Sequence, residues 1–201
     1  MMAYLLTKLI RNVFGIFFLV GLVVSPMAVL AQSNGINGLV PRYLLAGPSG
    51  QAVSQEDFRG RFQLITFGYT FCPDICPTTL AEMMQILNSL QENEAEKLRL
   101  IFITVDPERD TPAVLKTYTN FFDPRIIGLS GSPELVSRAA KNFKVRYAKV
   151  KHPGSAPGSY SVDHSAGMFL LGPDGQFIKK FPYGQPLSGL QAEILEIIQA
   201  Q

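Results

Sequence analysis

Sulfur and imidazole are scarce in this chain: its 201 residues include two cysteines and two histidines. Two thiols fall short of the four that iron–sulfur clusters and structural zinc sites usually take. Net charge is scarce too. The formal charge is +2, and both surplus cations, Lys8 and Arg11, lie within the first 31 residues. Beyond position 31, 16 basic residues face 16 acidic ones, so nucleic-acid binding lacks its electrostatic footprint. There is no internal repeat or low-complexity tract. The length suits one ordinary domain with a sizeable core and is short for two.

Residues 1–31 differ in kind from the rest. Lys8 and Arg11 precede an apolar run from Val13 to Val24, and Val29-Leu30-Ala31 offers small residues at signal-peptidase spacing, a signal-peptide layout. The competing reading is an uncleaved anchor, since Val13 to Ala31 gives 19 consecutive uncharged residues, close to the ~20 that span a bilayer. Both readings keep Lys8 and Arg11 inside, so residues 32–201 are expected to be exported, to a periplasmic or comparable compartment. One charge asymmetry remains: Arg138, Lys141, Lys144, Arg146, Lys149 and Lys151 run with no acidic residue between Leu135 and Val162. A solvated face explains it, and the sharper alternative is a docking patch for an acidic partner.

The two cysteines stand together in Cys72-Pro73-Asp74-Ile75-Cys76-Pro77. An exported protein with two cysteines would normally hold a structural disulfide, but a bridge across three intervening residues closes a loop too short to stabilise much. The pair therefore reads as functional. Two thiols at this spacing can form a reversible disulfide or share one soft metal ion: copper(I), zinc or iron–sulfur chemistry.

Periodicity places that pair in an α/β frame. Gln63 to Tyr69 is a short buried strand, and Pro77 suits the first position of a helix running to about Asn93, with Leu80, Met83, Met84 and Leu87 inward. Leu98 to Val105 is a second buried strand, and Thr111-Pro112 opens a helix through Phe122. A short strand at Ile126 to Leu129 precedes a helix started by Ser132-Pro133-Glu134 that carries the basic residues. Val145 to Lys151 reads as a strand, followed by a Gly/Pro/Ser loop from His152 to Ser161. Ala166 to Leu171 and Gln176 to Phe181 flank the hairpin turn Gly172-Pro173-Asp174-Gly175, and Ser188 caps a last helix. The expected fold is one α/β domain, a central sheet with helices on both faces. The cysteines sit at its first strand-to-helix turn, where such sheets place ligands. A helix N-terminus there favours thiolates, Cys76 most.

Of the histidines, His152 lies in the loop without neighbouring ligand types and reads as structural. His164, in Ser161-Val162-Asp163-His164-Ser165, precedes a predicted central strand, whose edge can bring it over the cysteine turn. Two sulfurs and one nitrogen suit copper in both oxidation states, but the residues alone leave this third ligand open. Asp163 is the candidate hydrogen-bond partner for a ligating imidazole. Asp106 to Pro112 reads as capping chemistry, with Asp106 or Asp110 bracing the cysteine loop. Met83, Met84 and Met168 read as core.

Gly68-Tyr69-Thr70-Phe71-Cys72-Pro73-Asp74-Ile75-Cys76-Pro77, then Thr104-Val105-Asp106-Pro107-Glu108-Arg109-Asp110-Thr111-Pro112, then Val162-Asp163-His164-Ser165 with Leu171-Gly172-Pro173-Asp174-Gly175 closely resemble the Sco/SenC family. The resemblance runs from about Leu39 to the C-terminus, with the motifs in family order. It implies a thioredoxin-like domain with a mixed sheet, exported and often membrane-tethered. It also implies copper ligands at Cys72, Cys76 and His164, and copper delivery to the dinuclear copper centre of cytochrome c oxidase subunit II. The expected function is therefore a copper metallochaperone rather than an enzyme, acting on that subunit or another copper acceptor. The alternative is a thiol–disulfide oxidoreductase in which Cys72 and Cys76 are the redox-active pair, served by a thioredoxin-like reductant and reducing a copper-accepting partner. Dedicated oxidoreductases on this fold space their cysteines by two residues, which counts against it, and a single-cysteine peroxidase would need less than this site holds.

Overall fold

A computed structural model describes residues 41–200 apart from 152, 155 and 157, so the expected leader at residues 1–31 and His152 lie outside the described residues. Five strands make the central sheet, in the order β5-β4-β3-β8-β9. They are β3 (Phe62–Gly68), β4 (Leu98–Thr104), β5 (Ile126–Leu129), β8 (Met168–Leu171) and β9 (Phe177–Phe181). β3 pairs in parallel with β4, and β4 with β5, while β8 runs antiparallel to both β3 and β9. The sheet is mixed, as the resemblance implies.

Every residue of β3 is buried, which is the pattern of a strand covered on both faces. On one face Thr66, Phe102 and Gly128 align across the register, beneath α1 (Ile75–Ser89) and α3 (Pro112–Phe122); the Phe102 and Tyr118 rings lie 5.8 Å apart. On the other face Phe67, Phe143 and Phe169 form an aromatic trio with centroids 5.3 to 6.0 Å apart, worth about 0.5–1.5 kcal/mol per pair beyond burial. Phe143 follows α4 (Pro133–Asn142), which packs beside β1 (Leu44–Ala46). β1 pairs with β2 (Ala52–Ser54) in a hairpin the periodicity did not single out. A 3-10 turn at Gln55–Phe58 and the terminal α5 (Leu187–Gln199) complete the covering layers.

Several boundaries differ from the sequence reading. The first helix opens at Ile75 behind Asp74, so Pro77 occupies its third position, where the missing N–H is still no loss. It stops at Ser89 because Leu90 is extended, and the expected tail to Asn93 becomes a separate turn, α2 (Glu92–Ala95). Met84 is half-buried and Ile86 takes the inward position. Thr111 and Ser132 cap α3 and α4 as expected, accepting from the N–H groups of Val114 and Leu135 at 3.3 Å. Ser188 is not a cap: α5 starts at Leu187 after Pro186. The helix expected to carry the basic run holds only Arg138 and Lys141; the rest lie beyond it. The strand near Val145 is β6 (Tyr147–Val150), which pairs not with the central sheet but with the unexpected β7 (Ser161–His164).

Candidate metal centre

Three elements converge at the C-terminal end of β3. The chain leaves Gly68 and turns through Tyr69 to Asp74, where the Cys72 N–H donates to the Tyr69 carbonyl at 3.2 Å. It then enters α1, placing Cys76 in the first helical turn. The sulfur of Cys76 stands directly over Gly68: a Cβ built there would lie 2.6 Å from it. His164 ends β7, and its Nε2 lies 3.5 Å from Cys76 Sγ. The two sulfurs and an imidazole nitrogen lie within 4.8 Å of one another. Both cysteines are free thiols, Cys76 buried and Cys72 partly exposed.

The imidazole is preset for ligation. Its Nδ1 lies 3.1 Å from the carbonyl oxygen of Ser165. A carbonyl only accepts, so Nδ1 carries the proton and Nε2 turns its lone pair toward the sulfurs. The sequence reading assigned that orienting role to Asp163, and the geometry gives it to the Ser165 carbonyl instead. Strand alternation turns Asp163 outward to solvent, opposite Ala148 on β6; its charge reaches the imidazole only as a minor upward influence on the pKa. Burial dominates and holds His164 below the ordinary histidine range, which keeps Nε2 available.

The thiol of Cys76 departs from expectation. Burial pushes its pKa well above the ordinary cysteine value, with the neighbouring Cys72 adding to the rise. Desolvation therefore outweighs the helix N-terminus. The Cys76 thiol has both Nε2 and the Cys72 sulfur as neighbours, and a cation held among the three atoms would take the place of its proton and offset the buried negative charge.

The loop is braced from beneath. Asp110 is fully buried. Its carboxylate accepts the Thr70 N–H at 3.1 Å, the Thr70 hydroxyl at 2.5 Å and the Thr104 hydroxyl at 2.7 Å. The bracing expected of Asp106 or Asp110 thus falls to Asp110 at this end. Asp106, equally buried, accepts instead from the Tyr160 hydroxyl at 2.9 Å and pairs with Arg109. Met83 and Met168 are buried core residues. Sequence reasoning gave no individual role to Gly68, Tyr69, Arg109, Tyr160 or Ser165, although all but Tyr160 lie in the family motifs. The glycine ending a buried strand just before the cysteine turn was the available signal for the first; the others depend on tertiary contacts.

Comparison with known proteins places the chain in a family. A sequence model of the SCO1/SenC family matches residues 31–199. The SCO2-like protein of Rickettsia felis is 37% identical over 155 residues, which are 77% of this chain and 73% of that one. The structure of Bradyrhizobium japonicum ScoI with copper bound has 37% identity and a TM-score of 0.70, covering 79% of this chain and 98% of that one. BsSco, a member of the Sco family of cytochrome c oxidase assembly proteins with a disulfide switch, has 28% identity and a TM-score of 0.59, covering 81% of this chain and 95% of that one.

Proposed function

The chain belongs to the SCO1/SenC family, and from that premise we propose that it is a copper metallochaperone of cytochrome c oxidase assembly, with copper as its cargo. The observation that carries the proposal is the cluster of Cys72, Cys76 and His164, whose ligand atoms lie within 4.8 Å with the imidazole already in the ligating tautomer. Two thiolates hold copper(I), and the nitrogen adds the harder donor that copper(II) needs. Cys72 is the more accessible of the two thiols, so ligand exchange to an acceptor begins there. The acceptor we assign is subunit II of the oxidase, in line with the assembly role of BsSco. Residues 32–201 form the working domain, exported by residues 1–31 and either released into the periplasm or tethered at its membrane. Among the described residues no helix is long and apolar enough to cross a membrane.

A second reading has its own observation. A partly exposed Cys72 beside a buried Cys76 is the asymmetry of an attacking and a resolving thiol, which supports reduction of a partner's cysteine pair before copper transfer. Anaerobic copper titration of the reduced full-length protein separates the two readings, run beside Cys72→Ser/Cys76→Ser and His164→Ala. Chaperone function predicts one tight equivalent, with a sulfur-to-copper(II) charge-transfer band that every variant loses. Absence of copper binding by a protein whose thiols still cycle against a dithiol would leave the reductase reading alone.

A further inference from the structure

The segment Asp106-Pro107-Glu108-Arg109-Asp110 does more than cap a helix. The Arg109 guanidinium lies 3.8 Å from the centre of the Tyr160 ring, 4.7 Å from Phe71 and 5.7 Å from Tyr69. Its Nε pairs with buried Asp106, and its Nη1 donates to the Tyr160 carbonyl at 3.1 Å. The Tyr160 hydroxyl returns to the second oxygen of Asp106 at 2.9 Å. Beside it, Glu108 reaches Lys149 of β6 at 2.6 Å.

These contacts join the two halves of the metal centre. Phe71 directly precedes Cys72, and the Tyr69 ring meets the His164 ring edge-on at 6.1 Å. Tyr160 directly precedes β7, the strand that ends in His164. The β6–β7 hairpin is a separate two-stranded sheet, so no central ladder fixes where the imidazole stands. Side-chain contacts must do so, and Arg109 supplies them to both ligand-bearing segments at once. We propose that Arg109 is a positioning residue for His164, clasping the hairpin onto the cysteine loop together with Asp106 and Tyr160. The inference rests on the copper-binding reading of the site. Its consequence is selective by oxidation state: two thiolates suffice for copper(I), whereas copper(II) depends on the imidazole, so loosening the clasp weakens copper(II) first.

The test compares full-length wild type, Arg109→Ala, Arg109→Lys and His164→Ala. Copper(II) affinity and charge-transfer spectrum are read beside anaerobic copper(I) affinity and the melting temperature of the metal-free protein. Arg109→Ala is expected to lose copper(II) affinity by about 10- to 100-fold, the usual cost of removing a group that orients a metal ligand. Its charge-transfer band should shift, while copper(I) affinity falls no further than in His164→Ala. Arg109→Lys should recover only part of the loss, because an ammonium lacks the planar fork that serves Asp106 and the Tyr160 carbonyl together. Unchanged copper(II) affinity in folded Arg109→Ala overturns the proposal, as does an equal loss of both oxidation states. Should Arg109→Ala fail to fold, Tyr160→Phe decides: it removes only the hydroxyl bond to Asp106, and wild-type copper(II) affinity there overturns the clasp. Failure of wild type to bind copper strikes the underlying reading instead.

Discussion

Gly68→Ala tests the centre with a single added carbon. The new Cβ would stand 2.6 Å from Cys76 Sγ and 2.8 and 3.0 Å from Phe102 Cε2 and Cζ. Ordinary contact begins near 3.4 Å, so the sulfur must retreat by about 0.8 Å. Phe102 is fully buried and has nowhere to go. Overpacking of this kind costs ~1–3 kcal/mol, while replacing a strand glycine returns ~0.5–1 kcal/mol, leaving a net loss of about 0–2.5 kcal/mol. At ~2–4 °C per kcal/mol for a domain of this size, melting falls by about 10 °C at most. Copper suffers more, since metal–ligand distances tolerate only ~0.2 Å. Disturbing the groups that hold a metal ligand in place typically costs about 10- to 100-fold in metal affinity, and a loss of that order in copper(I) affinity is expected. The assay is anaerobic competition against a copper(I) chelator, with calorimetric melting to show that the variant is folded. A folded Gly68→Ala protein with wild-type copper affinity would refute the argument that this glycine makes room for the ligand sulfur.

Three further perturbations separate the parts of the structure. Asp110→Asn puts amide hydrogens where the carboxylate accepts from Thr70 and Thr104, leaving at least one buried donor unsatisfied at ~1–3 kcal/mol; denaturant unfolding should show that loss, and wild-type stability would mean the network does not hold the loop. Met83→Ala should cost ~2–5 kcal/mol as a core cavity, since Met83 is fully buried; a specific loss of copper affinity in the folded variant would instead make it a ligand. Asp123 accepts from the Arg125 backbone and guanidinium, which holds its carboxyl below the usual range, so its contribution is present at neutral pH and lost as pH falls through the folded-state value. With Arg125 half exposed, Asp123→Asn should cost no more than ~1 kcal/mol near neutrality, and the gap from wild type should close in acid; a gap that persists there would refute the pairing.

Much of the frame was legible because its signals are local. The strand at Ile126–Leu129, the helices capped at Thr111 and Ser132, and the Gly172–Gly175 turn each follow from a few adjacent residues. The boundaries that slipped lie where proline or an extended residue permits two readings, as at Pro77 and Leu90. Illegible in principle were the features made by distant partners. β7 is a strand only because β6 pairs with it, and its composition of Ser, Val, Asp and His gives no strand signal of its own. The same holds for the Ser165 carbonyl, which orients His164 through a backbone atom whose placement no residue identity encodes. The upward push on Cys76 was missed for a related reason: the helix terminus can be read from Pro77, whereas the burial that outweighs it belongs to the assembled core.

That division has a chemical meaning. The two sulfurs come from one continuous turn of chain, anchored by β3 below, α1 behind and the Asp110 network beneath. The nitrogen arrives on a separate hairpin, 88 positions further along the chain from Cys76. A site built from one local and one distant part binds what the local part satisfies even when the distant part is displaced. For two thiolates that ion is copper(I). On the proposed ligand assignment, retention of copper(II) would measure how well the hairpin is seated, and withdrawal of His164 would leave copper(I) held mainly by the pair whose more accessible member, Cys72, is the one an incoming ligand reaches.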